Sequence, residues 1–134
     1  MIVLDASAIV DRLLGTAGRS EAVAEEMRRA WSHHTLDLAY VEVVSTLRRM
    51  AARGGLSTQR AKQALTDLAA APVTRHPAAP LTERIWELRK SHSAYDAAYV
   101  ALAEALDMPL LTTDQRLARS TGHSAQIVEA GASA

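Results

Sequence analysis

The chain has 134 residues, the size of one domain able to bury a core of its own. At 49% hydrophobic and 22% charged it has the composition of a globular protein, and with no cysteine it excludes disulfides and thiolate metal sites, leaving carboxylates, histidines and waters as the only metal ligands. Fifteen basic residues balance fifteen acidic ones, so net charge argues neither for nor against nucleic acid, and no apolar run approaches the roughly 20 residues that span a membrane.

Met1 runs directly into Ile2-Val3-Leu4, which Asp5 ends; this reads as a buried strand with no secretory signal, and the expected location is the cytoplasm. Ala6 to Leu14 is expected to be a short helix stopped by Gly15, and Ser20 to Trp31 a second helix with Val23, Met27, Ala30 and Trp31 on one face. Thr35 to Ala39 reads as the second strand. Val41 to Arg53 reads as a helix with Val43, Val44, Leu47, Met50 and Ala51 inward, closed by Gly54-Gly55. Ser57 caps the next helix, with Ala61, Ala64, Leu65 and Leu68 along one side.

A third strand, Val73 to His76, lies between proline boundaries. Thr82 then caps a helix carrying Ile85, Trp86 and Leu88, and Tyr95 to Leu106 forms another. Pro109 to Leu111 is a fourth strand, Gln115 to Ser120 a short helix, and Gln126 to Val128 a fifth, edge strand. Short apolar strands alternating with helices specify a parallel sheet covered on both faces, within a single domain spanning 1–134.

In open parallel sheets ligands gather at the carboxyl ends of the strands. Asp5 follows the first strand, Glu42 lies just beyond the second in the first turn of its helix, Asp96 begins the Tyr95 helix, and Asp114 follows the fourth strand. Any one of these acids at a helix start is ordinarily a cap, accepting orphan N–H bonds at the positive end of the dipole. Four together at one edge would repel one another unless a cation lay between them, and hard carboxylate oxygens suit Mg²⁺ or Mn²⁺. Setting those four aside leaves fifteen basic residues against eleven acids, a surface that permits RNA. Such a site suits phosphodiester hydrolysis.

The opening Met1-Ile-Val-Leu-Asp-Ala-Ser-Ala-Ile-Val10 resembles the start of PIN-domain proteins of the VapC toxin type. Glu42-Val-Val-Ser-Thr-Leu-Arg-Arg49, Tyr95-Asp-Ala-Ala-Tyr-Val-Ala-Leu-Ala-Glu104 and Leu111-Thr-Thr-Asp-Gln-Arg-Leu117 resemble the three later acidic motifs, and the likeness runs from Met1 to about Val128. The resemblance implies a three-layer α/β/α sandwich around a mainly parallel sheet of four or five strands. It also implies a Mg²⁺- or Mn²⁺-dependent endoribonuclease in which Asp5, Glu42, Asp96 and Asp114 bind metal and Ser7 and Thr112 support them. A homodimer is implied, as are an RNA substrate and a cognate antitoxin that blocks the groove. The alternative is a PIN-like module that binds RNA or protein without cutting.

Arg116, close behind Asp114, is the preferred contact for a substrate phosphate, with Arg89, Lys90 and His92 as further candidates. Asp11 is expected to face away from the site, His33 and His34 to be solvated in a turn, and Trp31 and Trp86 to lie on apolar helix faces. Arg48, Arg49 and Arg53 read as a solvated face. His76, His92 and His123 show no metal-ligand spacing. Three rival folds fit poorly. A haloacid-dehalogenase-like phosphatase needs a second Asp where Ser7 stands. A receiver domain needs an acidic pair at the first strand and a late Lys, and no Lys follows Lys90. A dinucleotide-binding domain needs glycines in the first turn, which reads Asp5-Ala6-Ser7-Ala8.

Overall fold

The computed structural model describes residues 1–131. Ile2-Val3-Leu4 carries no polar position, so as a strand it must be covered on both faces; all three residues are buried. This strand, β1 (Ile2–Leu4), is the centre of a five-stranded sheet. Its companions are β2 (His33–Leu36), β3 (Thr74–His76), β4 (Leu110–Thr112) and β5 (Ile127–Glu129), in the order β3-β2-β1-β4-β5. Every pair is parallel, with Val3 opposite both His34 and Leu110. The chain moves one way from β1 to β2 and β3, and the other way to β4 and β5. The gap between β1 and β4 is therefore the point where a cleft opens at the carboxyl edge.

Parallel strands require crossovers, and helices supply them. Helix α1 (Ala6–Leu14) packs on α2 (Arg19–Arg29), α3 (Leu38–Ala52) and α4 (Thr58–Ala70). On the other side, α5 (Thr82–Glu87) packs on α6 (Ala94–Leu106), which lies against β1, β2 and β4. The short α7 (Gln115–Ala118) sits against β4 and β5. This is the expected α/β/α sandwich, with a wholly parallel sheet. Val3, Leu36, Leu110, Leu111, Val43, Val100 and Tyr99 form its centre, each almost fully buried; burying one such side chain is worth about 1.5–3 kcal/mol. Alanines fill eight places in that core, from Ala6 to Ala130, and so let helix and sheet pack closely.

Local signals set the boundaries. Gly15, with φ +65°, closes α1 in the left-handed conformation, and Gly54, with φ +80°, follows the end of α3. Ser57 Oγ accepts the Arg60 amide at the start of α4. Several expectations shift. The second strand is His33–Leu36, not Thr35–Ala39, because Asp37 caps a helix that starts at Leu38. His33 and His34 are therefore strand residues: the His33 ring bonds the Met27 carbonyl and His34 bonds His76 across the β2–β3 pair. Helix α2 ends at Arg29, and Trp31 lies beyond it, 86% exposed.

Trp86 is 67% exposed, with the Arg89 guanidinium over its ring, so it too leaves the core. Val44 points outward, because Ala39, Val43 and Leu47 form the face of α3 that meets the core. Thr82 is no cap; its hydroxyl donates to the Ala79 carbonyl within a preceding 3-10 turn, Ala79–Leu81. Among the described residues no helix is long and apolar enough to cross a membrane.

Candidate active site

The extended residue that ends β1 becomes the first group of α1, so Asp5 stands at the carboxyl edge and at a helix N-terminus at once. Its Oδ1 accepts the Ala8 amide at 2.9 Å and the Ser7 hydroxyl at 2.7 Å. Its Oδ2 accepts the Thr112 hydroxyl at 2.6 Å from the neighbouring strand β4. Asp5 is only 4% exposed. Burial pushes its carboxyl up to about 6, against the three hydrogen bonds that favour the anion, and the charge of Asp114 raises it further. Both oxygens of this buried carboxylate are therefore fixed in direction.

Ser7 and Thr112 both lie against Asp5. The Ser7 and Thr112 hydroxyls lie 3.1 Å apart; Ser7 Oγ also accepts the Thr113 amide, and Thr112 Oγ1 accepts the Asp114 amide. Asp114 caps α7, its Oδ1 accepting the amides of Arg116 and Leu117. Asp96 is the third residue of α6, whose cap is Ser93. Glu42 falls in the second turn of α3, not the first, because that helix starts at Leu38. Burial raises the Glu42 carboxyl, opposed by a hydrogen bond from Tyr99 and reinforced by Asp96.

All four acids line one cleft of about 560 Å³ between α1, α3, α6 and the β4–α7 turn. Arg116 lies at its mouth, 76% exposed, with Nη2 3.1 Å from Asp96 Oδ2 and 3.6 Å from Asp114 Oδ2. Among the described residues no three acids or histidines converge tightly enough to enclose an ion by themselves. Mg²⁺ seldom asks for that: it keeps several waters and takes one or two carboxylates directly. An all-oxygen donor set around a buried, cation-seeking Asp5 fits such an ion.

Two residues of the cleft escaped the sequence. Tyr99 reads as core and is buried, yet its hydroxyl donates to Glu42 Oε1 at 2.7 Å. Burial, followed by the charge of Glu42, pushes its phenol upward, so it stays a donor. The available signal was its position three residues after Asp96, on the same helix face. Asp11 does not face away: it lines the cleft with Ser7 and Leu14, four residues to one side and three to the other on α1. Of the other candidate phosphate contacts, His92 is buried and Arg89 lies over Trp86.

Comparisons with known proteins bear on family and fold. A model of the PIN domain matches residues 2–122. Ribonuclease VapC12 of Mycobacterium tuberculosis is 42% identical over 127 residues, 95% of this chain and 97% of the relative. Ribonuclease VapC9 of the same organism is 44% identical over 117 residues, 87% and 88% of the two chains. Among solved structures, M. tuberculosis VapC20, described as a sarcin-ricin loop cleaving toxin, superposes with TM-score 0.68 at 18% identity, covering 88% of this chain and 93% of that one. VapBC2 from Rickettsia felis, bound to a DNA fragment from its promoter, gives TM-score 0.68 at 14% identity over 97% and 99% of the chains. At such identities the structural likeness speaks to the fold.

Proposed function

From its membership of the PIN-domain family, and of the VapC ribonucleases within it, we propose that this chain is a divalent-metal-dependent endoribonuclease, the toxin of a toxin–antitoxin pair, acting as a single domain on cytoplasmic RNA. The observation that carries the reading is Asp5: buried at the end of the central strand, fixed by Ala8, Ser7 and Thr112, in one cleft with Glu42, Asp96 and Asp114.

Asp5 and Asp96 would be the principal metal ligands, with Glu42 and Asp114 completing the acidic set. When bound, Mg²⁺ or Mn²⁺ activates a water and neutralises charge on the scissile phosphate and its leaving oxygen. The chain's own groups do the positioning. Thr112 and Ser7 fix both oxygens of Asp5, and Tyr99 holds one oxygen of Glu42, so neither acid has to reorganise. Arg116, exposed at the cleft mouth and paired there with Asp96 and Asp114, can turn its guanidinium to a phosphate oxygen.

A non-cleaving RNA- or protein-binding module has less support, since four acids in one cleft repel one another without serving either task. The antitoxin partner is supported by the relatives' VapC names and by fold neighbours described as toxin–antitoxin complexes. A homodimer is supported by Val41, Val44 and Tyr95, exposed apolar side chains on α3 and α6. Expression of the chain alone should arrest growth, and co-expression of a small neighbouring reading frame should restore it. Harmless expression with intact quartet residues, together with no complex between the two products, contradicts the toxin reading.

A further inference from the structure

The cleft is larger than a metal site needs. Along α1 it is lined at Ser7, Val10, Asp11 and Leu14, and along α3 at Glu42, Thr46 and Met50, so it runs between two helices for two turns, about 12 Å. The acids of the quartet occupy one end. The rest has different chemistry: Val10, Leu14 and Met50 bring apolar surface, and Asp11, Arg19 and Thr46 bring polar groups among them.

Asp11 is the outlier among the five carboxylates in this space. Asp5, Glu42, Asp96 and Asp114 each accept at least one hydrogen bond, but among the described residues neither carboxylate oxygen of Asp11 accepts any. Its side chain is only 13% exposed, and its one charged neighbour, Arg19 Nη1, stands 3.9 Å away, too far to donate. Both oxygens face the open cleft, so the carboxylate is free to accept hydrogen bonds from a ligand there.

We propose that this end of the cleft is a base subsite that takes a guanine next to the scissile phosphate; the inference rests on the ribonuclease reading above. A nucleobase is a flat, apolar-faced plate with a polar edge, which is the shape and polarity of this space. Met50 and the Val10–Leu14 wall cover its faces, Met50 adapting through its flexible thioether. Among the four bases only guanine presents two adjacent N–H donors, N1–H and the N2 amino group, which a single carboxylate accepts side by side. Arg19 next to it donates to the O6 acceptor of the same edge. The volume, about 560 Å³, accommodates a nucleoside beside the phosphate site.

The experiment is cleavage of a random-sequence RNA pool in Mn²⁺, with cut sites mapped for the wild type, Asp11→Asn and Arg19→Gln, and melting curves confirming that each is folded. The wild type should cut with guanine enriched at one position flanking the break. Asp11→Asn should reduce that enrichment roughly five- to a hundredfold and move preference toward adenine, whose N6–H and N7 match a carboxamide. Arg19→Gln should weaken the guanine preference as well. A shift of base identity is a change that a purely structural Asp11 does not produce. A wild type that cuts with no base bias or with pyrimidine bias, or variants that keep the guanine bias, overturn the subsite. A wild type that cuts nothing overturns the ribonuclease reading itself.

Discussion

Thr112 donates its hydroxyl hydrogen to Asp5 Oδ2 at 2.6 Å and accepts the Asp114 backbone amide at 3.0 Å on the same oxygen, so one threonine sets two acids of the cleft. It is fully buried, and no water can replace it without a cavity. Thr112→Val keeps the shape and removes both bonds. The expected cost is about 1–3 kcal/mol of stability and roughly 10- to 100-fold in metal affinity. Melting curves and Mn²⁺ titration check both; an unchanged Mn²⁺ affinity contradicts the role given to Thr112.

The raised Asp5 carboxyl makes a pH prediction for the metal-free protein. Its value moves from 3.8 to about 6 on folding, so between those limits the folded chain binds more protons than the unfolded one. Stability from this group is present at low pH and is lost as pH rises through that window, by on the order of 3 kcal/mol. Asp5→Asn cannot titrate. In EDTA its melting temperature relative to wild type should therefore rise from pH 4 to pH 7. A difference independent of pH removes the claim that Asp5 is held in a charge-hostile environment.

Tyr99 positions Glu42 rather than touching substrate. Its hydrogen bond also counteracts the burial that raises the Glu42 carboxyl. In Tyr99→Phe the fold should persist, because the ring remains packed, while cleavage falls about tenfold. The acid limb of the pH profile of kcat/KM should move to higher pH, since Glu42 then needs a higher pH to ionise. An unmoved acid limb makes Tyr99 a packing residue only.

The parts of the site visible in the sequence were those whose position follows from local chemistry. Asp5 ends an all-apolar strand and Asp114 caps a short helix after another, so strand periodicity alone brings them to one edge. Ser7 and Thr112 were reached through family likeness, and their bonds to Asp5 agree with it. Tyr99 and Asp11 were not visible, because the role of Tyr99 depends on how α6 meets α3 and that of Asp11 on how α1 meets α3. The second strand slipped by two residues because His33-His34 looked polar, while their rings find partners at Met27 and His76. Trp31 and Trp86 were misplaced by the ordinary rule that large apolar groups are buried.

Asp114 distinguishes a cap from a ligand. Asn caps a helix as well as Asp does, so Asp114→Asn should melt close to the wild type. Cleavage should nonetheless fall roughly 10- to 100-fold and be partly restored at high Mn²⁺ concentration. Loss of stability with unchanged cleavage would take Asp114 out of the site.

The central claim is that Asp5 holds the metal on which RNA cleavage depends. The direct measurement is the initial rate of RNA cleavage by the wild type and by Asp5→Asn in Mg²⁺, each with and without EDTA, on samples shown by melting to be folded. The wild type should cleave in Mg²⁺ and stop in EDTA, and Asp5→Asn should not cleave in either. Cleavage by Asp5→Asn at the wild-type rate, or wild-type cleavage unaffected by EDTA, contradicts the account.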